Sequence, residues 1–158
     1  VIVVKGHSQQ TGTFKDGRYK RAESVLVLIH DKDQHVLLLQ RDDDPLFWQS
    51  VTGTMEGDET PTETALREVF EETGIDIQAK GYQLVDCRHT SQYEIRERWL
   101  HRYPPGTKFN TEYCFALSVE RTDHIKLTEH LAFGWYSKEE AIKKAWSDSN
   151  KQAIEKFV

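Results

Sequence analysis

The sequence predicts an α/β (α+β) sandwich: a mixed β-sheet between helices, with one helix carried in a loop–helix–loop segment. Three observations lead there. Short β-branched and apolar runs separated by polar turns recur along the chain, as buried strands require. Helices are announced by cap signals. They fall between and after the strands, which places them on the faces of a sheet.

The strands come first. Ser24–Ile29 (SVLVLI) is β-branched and apolar, a buried strand, and the polar turn Asp31-Lys32-Asp33 leads into His35–Gln40 (HVLLLQ), its hairpin partner. Phe47–Val51 and Thr52–Met55 read as short extended pieces broken at Gly53. Further strands are expected at Tyr82–Arg88, Tyr93–His101, Thr111–Val119 and Phe133–Tyr136, with Pro104-Pro105-Gly106 as a firm turn between two of them.

The helices follow from their ends. Thr60-Pro61-Thr62-Glu63 has capping-box spacing, with proline at the first helical position, where a missing N–H costs nothing. That helix should run to about Thr73, with Gly74 as its left-handed C-cap. Ser137-x-x-Glu140 opens a second helix and Ser149-x-x-Gln152 a short last one.

With 158 residues the chain suits one domain, expected over residues 19–158. Residues 1–18 read as a leader, either a native extension or a cloning remnant. No apolar run approaches the ~20 residues that span a bilayer, and no segment reads as a secretory signal, so a cytoplasmic protein without membrane partners is expected. A net charge of −5 argues against coating nucleic acid, which needs excess Lys and Arg, and leaves room for one anionic small molecule. Cys87 and Cys114, among apolar neighbours, suit buried reduced thiols better than a disulfide, and without a nearby histidine they do not form a zinc site.

The chemistry concentrates between Pro61 and Gly74. At ~100° per residue, Ala65, Leu66, Val69 and Phe70 form a core-facing stripe. Glu68, Glu71 and Glu72 gather on another side, three and four apart, where each like-charge pair costs a bare helix a few tenths of a kcal/mol. A solvated acidic face and a cation held among the carboxylates both fit the helix alone. Oxygen-only ligands would suit Mg²⁺.

The surrounding spacing favours the cation. GTMEGDETPTETALREVFEETGI sets Gly53, then Glu59, then Arg67-Glu68-Val69-x-Glu71-Glu72-x-Gly74-Ile75. This resembles the Nudix box, and every position of that signature is filled. The resemblance implies a Nudix-type sandwich and hydrolysis of a phosphoanhydride in which a diphosphate is attached to another group. It also implies Mg²⁺, with Mn²⁺ able to substitute. By carry-over Glu68 and Glu72 are the main metal ligands and catalytic residues, Glu71 is an auxiliary ligand through water, and Glu59 and Arg67 brace loop and helix.

A narrower resemblance runs from Tyr19 to the C-terminus. YKRAESVLVLI, LLLQRDDDPLFWQSVTGT, HRYPPGT, NTEYCFAL and LTEHLAFGWY look like the bacterial dihydroneopterin triphosphate pyrophosphatase branch of the family, which serves folate synthesis and also cleaves dATP. It implies release of pyrophosphate from a pterin or nucleoside triphosphate. Glu129, in Thr128-Glu129-His130, corresponds to a further catalytic carboxylate and metal ligand. Lys20, Arg41 and Thr52 correspond to substrate contacts, two cations and a hydroxyl suited to a triphosphate. Tyr93 and Arg96, in the stretch Tyr93–Arg96, correspond to substrate-lining positions. Trp48 or Tyr93 could stack on a flat base, although a core role is the commoner one for an aromatic. Ala145–Asn150 (AWSDSN) carries a small insertion relative to this branch, near where the pocket closes. Two other readings compete: a Nudix hydrolase of another specificity, such as a dinucleoside polyphosphate, and a catalytically silent nucleotide-binding module. The second sits poorly with a complete set of box carboxylates.

Overall fold

The β-branched run becomes strand β1, Glu23–His30, in the middle of a mixed sheet. The structure is a computed structural model that describes residues 19–158; the expected leader lies outside the described residues. Strands β2 (Val36–Gln40), β3 (Trp48–Gln49), β4 (Val51–Thr54), β5 (Leu84–Glu94), β6 (Phe109–Ser118) and β7 (Ala132–Tyr136) complete the sheet. The order is β3-β2-β1-β6-β5, with β4 paired to β1 and β7 to β2. Among these strands β1 and β6 run parallel, in the register Leu26↔Cys114 and Val27↔Phe115. The other pairings are antiparallel.

Alternation along β1 supplies both cores. Val25, Val27 and Ile29 face helix α1 (Pro61–Thr73), joining Leu37, Leu39, Val51, Met55, Phe115, Ala65 and Val69. Leu26 and Leu28 face helices α2 (Lys138–Lys144) and α3 (Asp148–Phe157), joining Val36, Leu38, Cys114, Ala141, Ala145, Ala153 and Ile154. A strand buried on both faces has to be apolar throughout, which is why SVLVLI lacks the polar alternation of an edge strand. Among the described residues no helix is long and apolar enough to cross a membrane.

Helix α1 starts and stops where the cap signals put it. The Thr60 hydroxyl accepts from the Glu63 N–H and the Glu63 carboxylate accepts from the Thr60 N–H, while Gly74 ends the helix at φ 82°.

Several sequence expectations are corrected. Tyr82–Arg88 and Tyr93–His101 are not two strands. One strand, β5, runs through with an irregularity between Asp86 and Thr90. There the Asp86 carboxylate accepts from the Arg88 N–H at 2.8 Å and Arg88 takes φ 53°. After Glu94 the chain leaves the sheet and coils as a 3₁₀ helix, Glu97–Arg102, with Arg96, Arg98 and Arg102 around the Trp99 ring at 5.7, 4.9 and 5.9 Å. Contact between these guanidinium groups and one indole favours the coil over continued pairing. The break between β3 and β4 comes at Ser50, not Gly53, because Asn150 bonds both the Ser50 N–H and its hydroxyl. Helix α3 begins two residues early: Ser147, not Ser149, caps it. Phe70 is 55% exposed rather than in the core, its place on the helix taken by Thr64 and Thr73 at 0%. Cys114 is buried but Cys87 only half-buried, and both are free thiols.

Candidate active site

Arg67 organises the loop and helix expected to hold the chemistry. Its Nε and Nη2 donate to the two Glu59 oxygens at 2.7 and 2.8 Å, and Nη2 also donates to the Thr54 carbonyl at 3.1 Å. Its Nη1 donates to Glu68 at 3.0 Å and Glu71 at 3.2 Å. Burial works against the guanidinium charge, but the bonds to Glu59 and the charges of Glu68 and Glu56 outweigh it and raise its pKa. Burial likewise opposes the Glu59 charge, and Arg67, the Glu56 N–H and the Thr64 hydroxyl hold that carboxyl below its usual range. Glu59 and Arg67 therefore clamp the entering loop to α1, the bracing role expected of them.

Glu68 and Glu72, one turn apart on α1, are 3% and 4% exposed. Glu68 lies against the strand at Gly53, where a β-carbon would stand 2.1 Å from its carboxyl carbon. The box glycine is thus needed for close approach. Glu71 is half-exposed beside Arg67. The loop before β7 is tied along α1: the Lys126 N–H donates to the Thr73 carbonyl at 2.8 Å and the Thr128 hydroxyl to the Glu71 carbonyl at 2.9 Å. Those two bonds bring Lys126 and Thr128, the latter the residue before Glu129, to the C-terminal half of α1. Among the described residues no three His, Cys, Asp or Glu side chains are already gathered in a metal-ready group. The donor chemistry still fits a hard cation, since the residues offered are all carboxylates.

The expected substrate contacts fall in three places. Lys20 is half-buried beside the 3₁₀ helix; its N–H donates to the Arg102 carbonyl at 2.9 Å and its ammonium lies 5.8 Å from the Tyr103 ring centre. Burial and the neighbouring Arg102 charge bring its pKa down to about 8, against the pull of Glu56. Arg41 is paired with Asp43 through both its Nε and Nη2 and lies 5.9 Å from the Trp146 ring centre. Thr52 donates its hydroxyl to the Val25 carbonyl at 2.9 Å, which leaves its oxygen able to accept. Tyr93 lies on the α3 side of the sheet, in register with Asn110, its phenol bonded to Ser24 and raised in pKa by burial. Arg96 is exposed above Trp99. Trp48 packs edge-on against Tyr136 at 5.7 Å, a core role.

Sequence reasoning missed two groups of contacts, one on each face of the sheet: Gln49 is in register with Leu39 on the α1 side, and Glu112 lies on the α3 side. Phe47 stacks on Trp146 at 4.7 Å, Trp146 donates to Gln49 at 3.3 Å, and the Ser149 hydroxyl donates to buried Glu112 at 3.1 Å. The available signal was period-two alternation in NTEYCFAL, which puts Asn110, Glu112 and Cys114 on one face.

Comparison with known proteins agrees with this architecture. Residues 20–157 match the family model described as NUDIX domain. The chain is 48% identical over 145 residues to dihydroneopterin triphosphate diphosphatase of Escherichia coli K12, covering 91% of this chain and 97% of that protein. It is 44% identical to the Haemophilus influenzae protein of the same name, over 89% of this chain and 90% of that one. The solved structure of the E. coli dihydroneopterin triphosphate pyrophosphohydrolase superposes with a TM-score of 0.81, covering 89% of this chain and 97% of that chain, at 48% identity. A Caenorhabditis elegans Ap4A hydrolase shares the fold, with a TM-score of 0.64 at 22% identity over 85% of this chain and 93% of that chain. With a family model matched across nearly all the described residues and every box position filled, this chain belongs to the Nudix family.

Proposed function

We propose that the chain is a magnesium-dependent hydrolase that converts dihydroneopterin triphosphate to the monophosphate and pyrophosphate, and treats dATP-like nucleoside triphosphates in the same way. The observation that carries this reading is the folded box. Glu68 and Glu72 are buried one turn apart under the Arg67–Glu59 clamp, with the segment before Glu129 drawn alongside, in a chain whose close relatives bear that activity in their names.

A divalent ion bound there would neutralise phosphate oxygens and lower the pKa of an attacking water. Glu68, Glu72 and Glu129 would hold it directly and Glu71 through water. Carboxylate donors favour Mg²⁺ over softer metals, with Mn²⁺ as a substitute. Arg67 fixes the rotamers of Glu68 and Glu71, and Glu59 fixes Arg67. Lys20 and Arg41 supply positive charge to the triphosphate, and Thr52 and the Tyr93–Arg96 stretch line the rest of the substrate. In phosphoryl chemistry such positioning and charge stabilisation account for most of the catalysis.

Hydrolysis in ¹⁸O-enriched water tests the reading. Dihydroneopterin triphosphate and dATP should yield pyrophosphate, with the label in the monophosphate. Preference for diadenosine tetraphosphate would replace the substrate assignment.

A further inference from the structure

Among the described residues two buried acids, Asp31 and Glu112, take no part in the chemistry above, and Asp31 is paired with Arg121. Glu112 projects from β6 to the α3 side of the sheet and is 6% exposed. Ser149, in the first turn of α3, donates to its Oε1 at 3.1 Å. Among the described residues no Lys, Arg or His forms an ion pair with it. Among the described residues the titratable groups that act on it are the Tyr93 phenol and the Cys114 thiol, both pushed by burial toward their neutral forms.

Its surroundings are arranged like a binding floor. Where α2 and α3 cover this face, the sheet offers Leu26, Leu28 and Cys114. One step along the strands the same face turns polar: Ser24 stands opposite both Thr54 and Glu112, Ser91 opposite Glu112, and Asn110 opposite Tyr93. Thr52 and Tyr93, expected substrate contacts, lie on this face. Adjacent strands are ~4.8 Å apart, so Glu112 is roughly 10 Å from the backbone of Thr54. Thr54 follows Gly53, against which Glu68 rests. Gly53 pairs with Val25, whose side chain faces α1, so Glu68 stands on the opposite side of the sheet from Glu112, and a substrate that reaches both passes round β4 with its sugar or short polyol between ring and first phosphate.

We propose that Glu112 recognises the substrate's heterocycle, its carboxyl group accepting from an exocyclic amino group and donating to the unprotonated ring nitrogen beside it. The proposal rests on the hydrolase reading above and adds the residue that selects the ring. Its chemistry follows from burial. Burial disfavours the charged form of a carboxyl and raises Glu112 toward its neutral form, against the Ser149 hydroxyl bond, which favours the anion. A neutral carboxyl has one donor and one acceptor side by side, with Oε1, which already accepts from Ser149, as the acceptor. Dihydropterin presents the complementary pair at its 2-amino group and N1, and adenine presents it at its 6-amino group and N1. One residue would therefore accept both proposed substrate types.

The test compares kcat/KM for dATP with that for 2′-deoxynebularine triphosphate, which is dATP without the amino group. Wild type should prefer dATP by at least about tenfold. Glu112→Met, of similar size and apolar, should bring the ratio close to one, while Glu112→Gln should retain the preference because a carboxamide also offers a donor and an acceptor. Cooperative melting of both variants shows that they fold. Kd values for the α,β-methylene forms of the two nucleotides read the same ratio without turnover. No preference in wild type, an unchanged ratio in Glu112→Met, or loss of the ratio in Glu112→Gln would overturn the proposal. Failure of wild type to hydrolyse any triphosphate strikes the hydrolase reading instead, while the Kd ratio still decides the role of Glu112.

Discussion

The carboxyl carbon of Glu68 occupies the space beside Gly53 in which any other residue would place its side chain, 2.1 Å from an ideal β-carbon. Gly53 is fixed by its pairing with Val25 in the sheet, so the group that must give way is the Glu68 side chain, at the expense of its bond from Arg67.

Gly53→Ala should therefore displace the Glu68 carboxylate and cut kcat by on the order of 100-fold, the usual result of a misplacement near 1 Å at a reacting centre. Steady-state kinetics and a crystal structure of the variant check this. Near-normal turnover would mean that Glu68 has no part in the chemistry.

Glu72→Gln keeps the shape of the side chain and removes its charge. We expect activity to fall by at least about 100-fold while cooperative melting persists. In wild type, chelation with EDTA should abolish turnover and added Mg²⁺ should restore it. Unchanged activity in the variant would refute the assigned role.

Lys20 yields a pH prediction with a definite sign. Its pKa falls from 10.5 to about 8 in the folded chain, because burial and Arg102 disfavour the charged form. As pH rises through about 8 the free enzyme loses that positive charge. KM for a triphosphate should then climb above that pH, and binding should take up protons in buffers near it. Lys20→Arg should flatten the rise, since arginine stays charged. Calorimetry in buffers of different ionisation enthalpy measures the uptake, and none at all would remove Lys20 from the phosphate site.

Asp31 governs acid stability at the opposite end of β1. It accepts from the Asp33 and His35 N–H groups at 2.9 and 2.8 Å and from Arg121 at 2.9 Å. Burial opposes its charge, but these bonds outweigh burial and lower its pKa. A depressed carboxyl contributes stability above its usual range, and that contribution is lost as pH falls through the folded value. Asp31→Asn should thus cost roughly 2 kcal/mol at neutral pH, and the gap to wild type should narrow below pH 3.8. Urea melts across pH test it; a gap that widens in acid would contradict it.

Local chemistry wrote much of this protein directly into the sequence. Thr60, Glu63, Pro61 and Gly74 bound α1 because caps act within one turn. SVLVLI and HVLLLQ marked the central strands because burial on both faces leaves no polar alternation. The Nudix spacing was legible because Gly53, Glu59, Arg67 and the glutamates belong to one continuous loop and helix.

Only the tertiary structure decided the rest. The stretch after Glu94 has the composition of a strand, yet clustering of arginines on Trp99 coils it. Ser147 rather than Ser149 caps α3, freeing the Ser149 hydroxyl for Glu112, a choice made by contacts far apart in the chain. The segment before Glu129 meets α1 through the tethers at Lys126 and Thr128, and Glu112 becomes informative only when β1, β5 and β6 are laid side by side. Short-range bonds leave a trace in adjacent residues, whereas the meeting of distant segments depends on which faces the sheet buries, and no local spacing records that.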